Sequence, residues 1–350
     1  MDSSFDVKFS KNDENTILDN LKNFHEHSIT IPKDGIPIQL KDGNIIRMNG
    51  IKKSGVEGGF IFSLCDREGQ VLDEQTYMGK VLFSSKNISK GKYRKANAKN
   101  KATYLATGRT RDEINRDVIQ EYISLKLANI VYDGISPEPK LGEVSDDGRL
   151  FLMTKMQGQK ENENFSTLGE LNDSSPGSLS DIPKEQWQAA YAVTVGLLND
   201  GDANKRGNIG AIFTPSIDEN RRYSVHKRLS LFDLGHPNPN KFGLDSNFLP
   251  TAWTKIGQAL SKVAKAANID RPLQQIFTIE PFIQDKLTAD ERKEALIKLC
   301  DKQERILSCL NTTKNELESK GYNTDVISSL QKEVEKRFEY LKKVTGYHTT

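Results

Sequence analysis

The stretch that most constrains this chain is Asn199-Asp200-Gly201-Asp202-Ala203-Asn204-Lys205-Arg206-Gly207-Asn208-Ile209-Gly210. Its density of Gly, Asn and Asp makes it a polar turn, and apolar segments flank it on both sides. About 25 residues further on, Leu231-Phe232-Asp233-Leu234-Gly235 reads as an apolar strand that ends in an Asp and meets a Gly. An Asp at the end of such a strand is uncommon unless it caps or binds something. Whatever fold the chain adopts must therefore bring an acidic turn and a strand-end carboxylate into one architecture.

At 350 residues the chain has room for a two-lobed domain with an appendage, or for two small domains. Its 50 basic and 48 acidic residues nearly cancel, so net charge points to no nucleic-acid partner. No apolar run is long enough to span a bilayer, and residues 1–14 lack the apolar core of a secretory signal. Cys65, Cys300 and Cys309 form no Cys-x-x-Cys pair. Neither a disulfide framework nor a zinc site is expected, and a reducing, cytoplasmic setting fits best.

Residues 1–30 read as a polar lead-in with one short helical pattern around Ile17, Leu18 and Leu21. From Ile31 to Phe83, short apolar runs alternate with Gly, Asp and Lys, as in a β-rich segment. Within it, Gly50-Ile51-Lys52-Lys53-Ser54-Gly55-Val56-Glu57-Gly58-Gly59 is a glycine turn. Its backbone N–H groups suit closure over a phosphate, and an ordinary hairpin is the other reading. Ser84 to Arg111 holds Lys86, Lys90, Lys92, Arg94, Lys95, Lys99, Lys101, Arg109 and Arg111 and no acid. That asymmetry reads either as a solvated insertion or as a docking surface for a polyanion.

Arg111 to Asp133 is predicted as a helix, because Ile114, Val118, Tyr122 and Leu125 recur every three to four residues, with Leu127 flanking and Ile130 beyond. Two strands follow around Asp146-Asp147-Gly148, and residues 159–183 read as a polar connector and loop. A helix from about Pro183 to Leu198 leads into the acidic turn. Short strands at 211–213 and 229–232 flank a basic hairpin at Asp218 to Arg228, and a helix is expected from Ala252 to Ala267. Trp187 and Trp253 lie at helical spacing and are expected to pack the larger lobe; His236 reads as a turn residue. Thr288-Ala289-Asp290-Glu291 is a capping-box pattern opening a long helix lined by Leu296, Leu299, Ile306, Leu310 and Leu317. Lys320-Gly321 ends it, and Val326, Leu330, Val334, Phe338 and Leu341 mark a last helix.

Phosphoryl transfer from ATP needs the parts the acidic turn supplies. One carboxylate orients the attacking hydroxyl, and an Asn and a second Asp hold the metal ions that bridge the phosphates. The element order is a glycine turn, a strand with Lys, a helix with Glu, strands, a connector, a helix, an Asp/Asn loop and a strand ending in Asp-Leu-Gly. That order resembles the protein-kinase-like fold over roughly residues 40–280. The likeness is to its atypical branches: phosphoinositide kinases, HipA-type kinases and kinase-like effectors secreted by bacteria. Asp233-Leu234-Gly235 looks like the Asp-Phe-Gly element with Leu in place of Phe. The loop lacks the usual His-Arg, and Asn208 stands six positions after Asp202 where five is usual.

The resemblance implies an α+β, two-lobed fold with a β-rich smaller lobe, a helical larger lobe and a C-terminal helical extension. Residues 31–158 would form the smaller lobe with the basic insertion 84–111, residues 159–286 the larger lobe, and 287–350 the extension. It implies ATP and Mg²⁺ or Mn²⁺ as cofactors. Lys80 would contact the phosphates and pair with Glu121, with Lys101 and Glu113 as second choices. Gly55, Gly58, Gly59 and Met153 would line the nucleotide. Asp202 would be the hydroxyl-orienting acid, with Asp200 the alternative. Asn208 and Asp233 would be metal ligands, and Asn204 could also face the metal. The acceptor expected first is a protein Ser or Thr, and second a phosphoinositide. The basic residues 86–111 would bind an inositol polyphosphate or anionic lipid. Delivery into a host-cell cytosol is a further implication. A pseudokinase scaffold and a non-kinase adaptor with a structural Asp/Asn loop are the rival readings.

Overall fold

The computed structural model describes residues 5–17, 32, 35–40, 43–51, 59–80, 110–144, 147–158, 163–174, 179, 181–200, 206–217, 223–235, 237 and 283–347. Its contacts divide the chain into two units. One is Met1–Tyr122 with Pro137–Gln159; the other is Ile123–Ser136 with Lys160–Thr350.

The first unit is built on a seven-stranded sheet. Its strands are β1 (Phe5–Phe9), β2 (Ile36–Gln39), β3 (Ile45–Ile51), β4 (Gly59–Cys65), β5 (Val71–Lys80), β6 (Pro139–Val144) and β7 (Arg149–Lys155). They lie in the order β1-β6-β7-β5-β4-β3-β2. The two-residue side-chain period sorts the faces. Phe60 and Phe62 on β4, Tyr77 on β5, Phe151 and Met153 on β7, and Met48 on β3 share one buried apolar cluster with Val7 and Phe9. Phe9 stacks on Phe151 at 4.7 Å and Phe60 on Phe62 at 4.9 Å. Gly79, opposite Phe60, has no Cβ, and one placed there would press on the Phe60 and Phe62 rings. All of β7 from Arg149 to Thr154 is buried, because both faces of that strand are covered.

The polar lead-in expected at residues 1–30 is instead structural where it is described. β1 pairs in parallel with β6, and Val7, Phe9 and Ile17 are core residues. A helix at residues 11–17, α1, follows β1. It is tied down by Glu14, whose carboxylate accepts two bonds from the Arg149 guanidinium at 2.8 and 2.5 Å, both side chains buried. Arg149 also holds Asp147 at 2.7 Å. Removing one partner of a buried pair strands the other charge. We expect Glu14→Ala to lower stability by about 3 kcal/mol, read as a drop in the urea midpoint without a change in slope.

Helix α2 (Arg111–Val131) begins with a capping box that the sequence reading missed. The Thr110 N–H donates to Glu113 Oε2 at 2.7 Å, and the Glu113 N–H donates to Thr110 Oγ1 at 3.3 Å. Asn115 fixes the helix to the β6–β7 hairpin: its amide donates to the Gly148 carbonyl and its oxygen accepts the Leu150 N–H.

The second unit is mainly helical. The expected connector contains a strand, β8 (Asn164–Thr167), and a helix, α3 (Leu168–Ser174), joined by a Thr167–Glu170 capping box. Helix α4 (Lys184–Tyr191) continues as a π-turn over Ala192–Leu197. The two short strands expected around a basic hairpin are nine residues each, β9 (Ile209–Ile217) and β10 (Tyr223–Leu231). The basic residues Lys227 and Arg228 therefore belong to a strand. With β8 they make a three-stranded sheet in the order β10-β9-β8. Trp187 is buried on α4, with the Lys286 ammonium 5.8 Å over its ring.

The long helix expected from Thr288 is two helices, α5 (Ala289–Cys300) and α6 (Gln303–Ser319), broken at Asp301–Lys302. Neither Gly nor Pro marks the break; a tight Lys302 N–H to Leu299 carbonyl bond closes the first helix. The Thr288 capping box forms as expected. Helix α7 (Asp325–Thr345) ends at Gly346 in the left-handed region, with Lys342 and Lys343 in its last turn. Its buried stripe runs through Ile327, Leu330, Val334, Phe338 and Leu341, starting one residue later than expected, and it includes Arg337. The architecture is thus α+β, a β-sheet unit and a mainly helical unit whose last three helices are C-terminal. No helix among the described residues is long and apolar enough to cross a membrane. The predicted helix 252–267, with Trp253, lies outside the described residues, as does His236.

Candidate functional site

In the first unit the strand register brings the candidate phosphate-binding parts together. Lys80 is the last residue of β5, and its cross-strand neighbours are Gly59 on β4 and Leu152 on β7. Because Tyr77 belongs to the aromatic cluster and Gly79 abuts its rings, Lys80 projects from the opposite face. There it forms an ion pair with Glu121 of α2, both side chains 8% exposed. Glu113, the second candidate, is occupied by the helix cap instead. Gly59 ends the glycine turn, so the turn joins the sheet beside Lys80. Gly55, Gly58 and the rest of 52–58 lie outside the described residues, as does Lys101.

Met153, expected at the nucleotide, is on the other face. It pairs with Gly79, and its side chain is buried in the apolar cluster. The alternation that points Lys80 away from the apolar cluster turns Met153 into it. Of the basic run, only Arg111 is described: it is exposed on the first turn of α2 and pairs with Asp112 at 3.1 Å. Lys86, Lys90, Lys92, Arg94, Lys95, Lys99 and Arg109 lie outside the described residues.

In the second unit the acidic turn leaves α4 by an unusual path. In the π-turn, the Leu198 N–H reaches back five residues to the Val193 carbonyl. Asn199 follows at φ 47, a non-glycine residue in the left-handed region. Asn tolerates that conformation better than most side chains. The Asp200 N–H then bonds the Thr194 carbonyl at 2.8 Å, and Asp200 is 2% exposed. Single π-turns inside α-helices occur often at functional sites. Asp202 and Asn204 fall outside the described residues.

A 3₁₀ turn, Arg206–Asn208, leads directly into β9. Ile209 pairs with Leu231 in the β9–β10 ribbon. The next position outward therefore sets Asn208 beside Phe232, where the Phe232 N–H meets the Asn208 carbonyl at 3.5 Å. Asp233 comes one residue later, half-buried, while Leu234 beyond it is fully buried. The ribbon register thus delivers Asn208 and Asp233 to the same end. The ribbon end is anchored by the Leu231 N–H to Ile135 carbonyl bond at 2.7 Å. Phe165 packs edge-on against Phe232 at 5.5 Å, over Gly210, where any side chain would strike its ring.

The chemistry of the donors decides what could bind at that end. An Asp carboxylate and an Asn amide oxygen are hard oxygen donors, suited to Mg²⁺ or Mn²⁺ rather than to a thiolate-seeking metal. Among the described residues no three His, Cys, Asp or Glu side chains converge. Mg²⁺ at phosphates needs no such cage, because it takes one or two protein oxygens and completes its shell with water and phosphate. The residues present fit that ion.

No protein-family model matches the chain, and no curated protein sequence matches it. Among solved structures the chain is similar to the crystal structure of the Helicobacter pylori proinflammatory kinase CtkA. The match has 12% identity and a TM-score of 0.45, and it covers 85% of this chain and 95% of that one.

Proposed function

We propose that this chain is an atypical, ATP- and Mg²⁺-dependent kinase that transfers the γ-phosphoryl group to a hydroxyl. The observation that carries the reading is the buried Lys80–Glu121 pair. Burying two charges costs several kcal/mol per ion before their attraction offsets it, so an apolar pair would hold the helix to the sheet at lower cost. At the end of a strand beside a glycine turn, a Lys held by a helix Glu is suited to phosphate oxygens. The ammonium would contact the nucleotide phosphates while Glu121 sets its position.

The second unit carries residues for the remaining roles. Asn208 and Asp233 would hold the metal, which supplies charge neutralisation at the phosphates when bound. Asp202 would orient the acceptor hydroxyl. Asp200, already buried and fixed through its backbone, suits support of the turn or the same role if the loop register is shifted by two. The six-residue interval between Asp202 and Asn208 favours a second reading, a pseudokinase that binds nucleotide without transfer. We place protein Ser or Thr first as acceptor and a phosphoinositide second. The acid-free run 84–111 suits an inositol polyphosphate or anionic lipid as an additional partner.

The test is a thermal-shift scan with ATP, with and without Mg²⁺, followed by transfer of labelled phosphate to the protein itself, to a generic protein and to phosphoinositide vesicles. The kinase reading expects stabilisation by ATP only with metal, and label on one acceptor. Stabilisation without metal and no label supports the pseudokinase. No stabilisation by either nucleotide condition removes both.

A further inference from the structure

The π-turn that precedes the acidic loop is held from below by one buried cation. Arg337, on α7, is fully buried. Its Nε donates to the Gly196 carbonyl at 2.8 Å and its Nη2 to the Val195 carbonyl at 2.7 Å. Those carbonyls lie in the last turn of the α4–π segment, where a helix leaves its final C=O groups without intrahelical partners. One planar guanidinium serves two of them at once. A cation at a helix C-terminus is also favoured by the helix dipole. The approach is close: Gly196 sits so near α5 that a Cβ would come within 2.8 Å of Leu296 and 2.9 Å of Leu299.

Four residues beyond Gly196 the chain reaches Asp200, after the left-handed Asn199. The bond that closes this path, from the Asp200 N–H to the Thr194 carbonyl, spans the same turn that Arg337 grips. We infer that Arg337 is a positioning residue: the C-terminal helix α7 sets the exit path of the acidic loop by clamping the Val195 and Gly196 carbonyls. Its catalytic meaning rests on the kinase reading; its structural meaning does not.

Packing alone does not explain an Arg here. The apolar stripe of α7 would bury more cheaply with a Leu or Met at this position. Burial pulls the guanidinium down to about 10, which still leaves it charged at neutral pH. A charge retained against that cost is accounted for by the two carbonyls it holds. The Tyr340 ring, 5.9 Å away, adds a cation–π contact on the same helix.

The test compares Arg337→Lys and Arg337→Met with Phe338→Leu, which loosens the same helix without touching either carbonyl. Lys keeps the charge but lacks the planar fork that reaches two acceptors. Hydrogen exchange is read across 194–208 in the full chain, and the ATP KM and kcat are measured well below each variant's melting temperature. Exchange at the Asp200 amide should rise at least ~10-fold in both Arg337 variants and change little in Phe338→Leu. In the same variants kcat should fall with the ATP KM nearly unchanged. Exchange no faster than in the Phe338→Leu control overturns the inference, as does a loosened loop with undiminished kcat. Should the parent chain transfer no phosphate, the kinase reading fails, and the exchange result alone decides whether Arg337 holds the loop.

Discussion

Asp233→Ala is expected to abolish phosphoryl transfer while leaving the protein folded. Asp233 stands half-buried just past the end of β10, beyond the last ladder pair, Leu231 with Ile209. Replacing it leaves the ladder's backbone bonds in place, and Leu234 next to it supplies the burial. If that carboxylate holds Mg²⁺ at the phosphates, its loss should cost at least ~10³ in rate, about 4 kcal/mol of transition-state stabilisation. The metal-dependent part of the ATP thermal shift should vanish with it. Near-parental turnover in a folded Asp233→Ala protein would sink the kinase reading. The neighbouring acids sort themselves in the same assay. Asp202→Asn should lower kcat and spare ATP affinity, as befits a residue facing the acceptor. If Asp200→Asn is the damaging change and Asp202→Asn is silent, Asp200 takes the role.

What was legible in the sequence depended on whether a residue's signal was local. The Thr288 capping box was readable because its two members are three residues apart and bond each other. The stripe of α7 was readable from its periodicity. Glu121 could be preferred to Glu113 because a central helix position holds a side chain more firmly than a terminal one. In the structure Glu113 is spent on the cap and Glu121 meets Lys80. The faces of the sheet were not readable, because they depend on register: Lys80 and Met153 diverge only once Gly79 is seen opposite Met153. β1 was missed because Phe5-Asp6-Val7-Lys8-Phe9 sits in a polar neighbourhood and gains its partner, β6, from more than 130 residues away. The π-turn has no composition signal at all; Ala192 to Leu197 reads as ordinary helix. Arg337 did leave a trace, a lone cation on an apolar stripe. Only the two carbonyls it meets, more than 140 residues upstream, show what it is for.

Lys80→Met should reduce turnover by at least ~10² and also destabilise the first unit by about 3 kcal/mol. The two losses have different origins, and a second substitution separates them. The stability loss comes from Glu121, which would be left buried without its cation. The activity loss comes from the missing ammonium at the phosphates. Adding Glu121→Leu to Lys80→Met removes the stranded charge and leaves two apolar side chains facing each other. Replacing a whole buried ion pair by well-packed apolar groups is often neutral or stabilising. The double variant is therefore expected to recover most of the lost stability, giving a large favourable coupling in a double-mutant cycle. It should recover none of the turnover. Urea unfolding of the four proteins in the cycle measures the first expectation, and initial rates at saturating ATP and Mg²⁺ measure the second. If turnover returns together with stability, Lys80 and Glu121 serve only to hold helix α2 against the sheet, and the phosphate contact has to be sought elsewhere. If Glu121→Leu alone is as inactive as Lys80→Met yet folds well, the pair acts through the position of the ammonium, as the buried geometry implies.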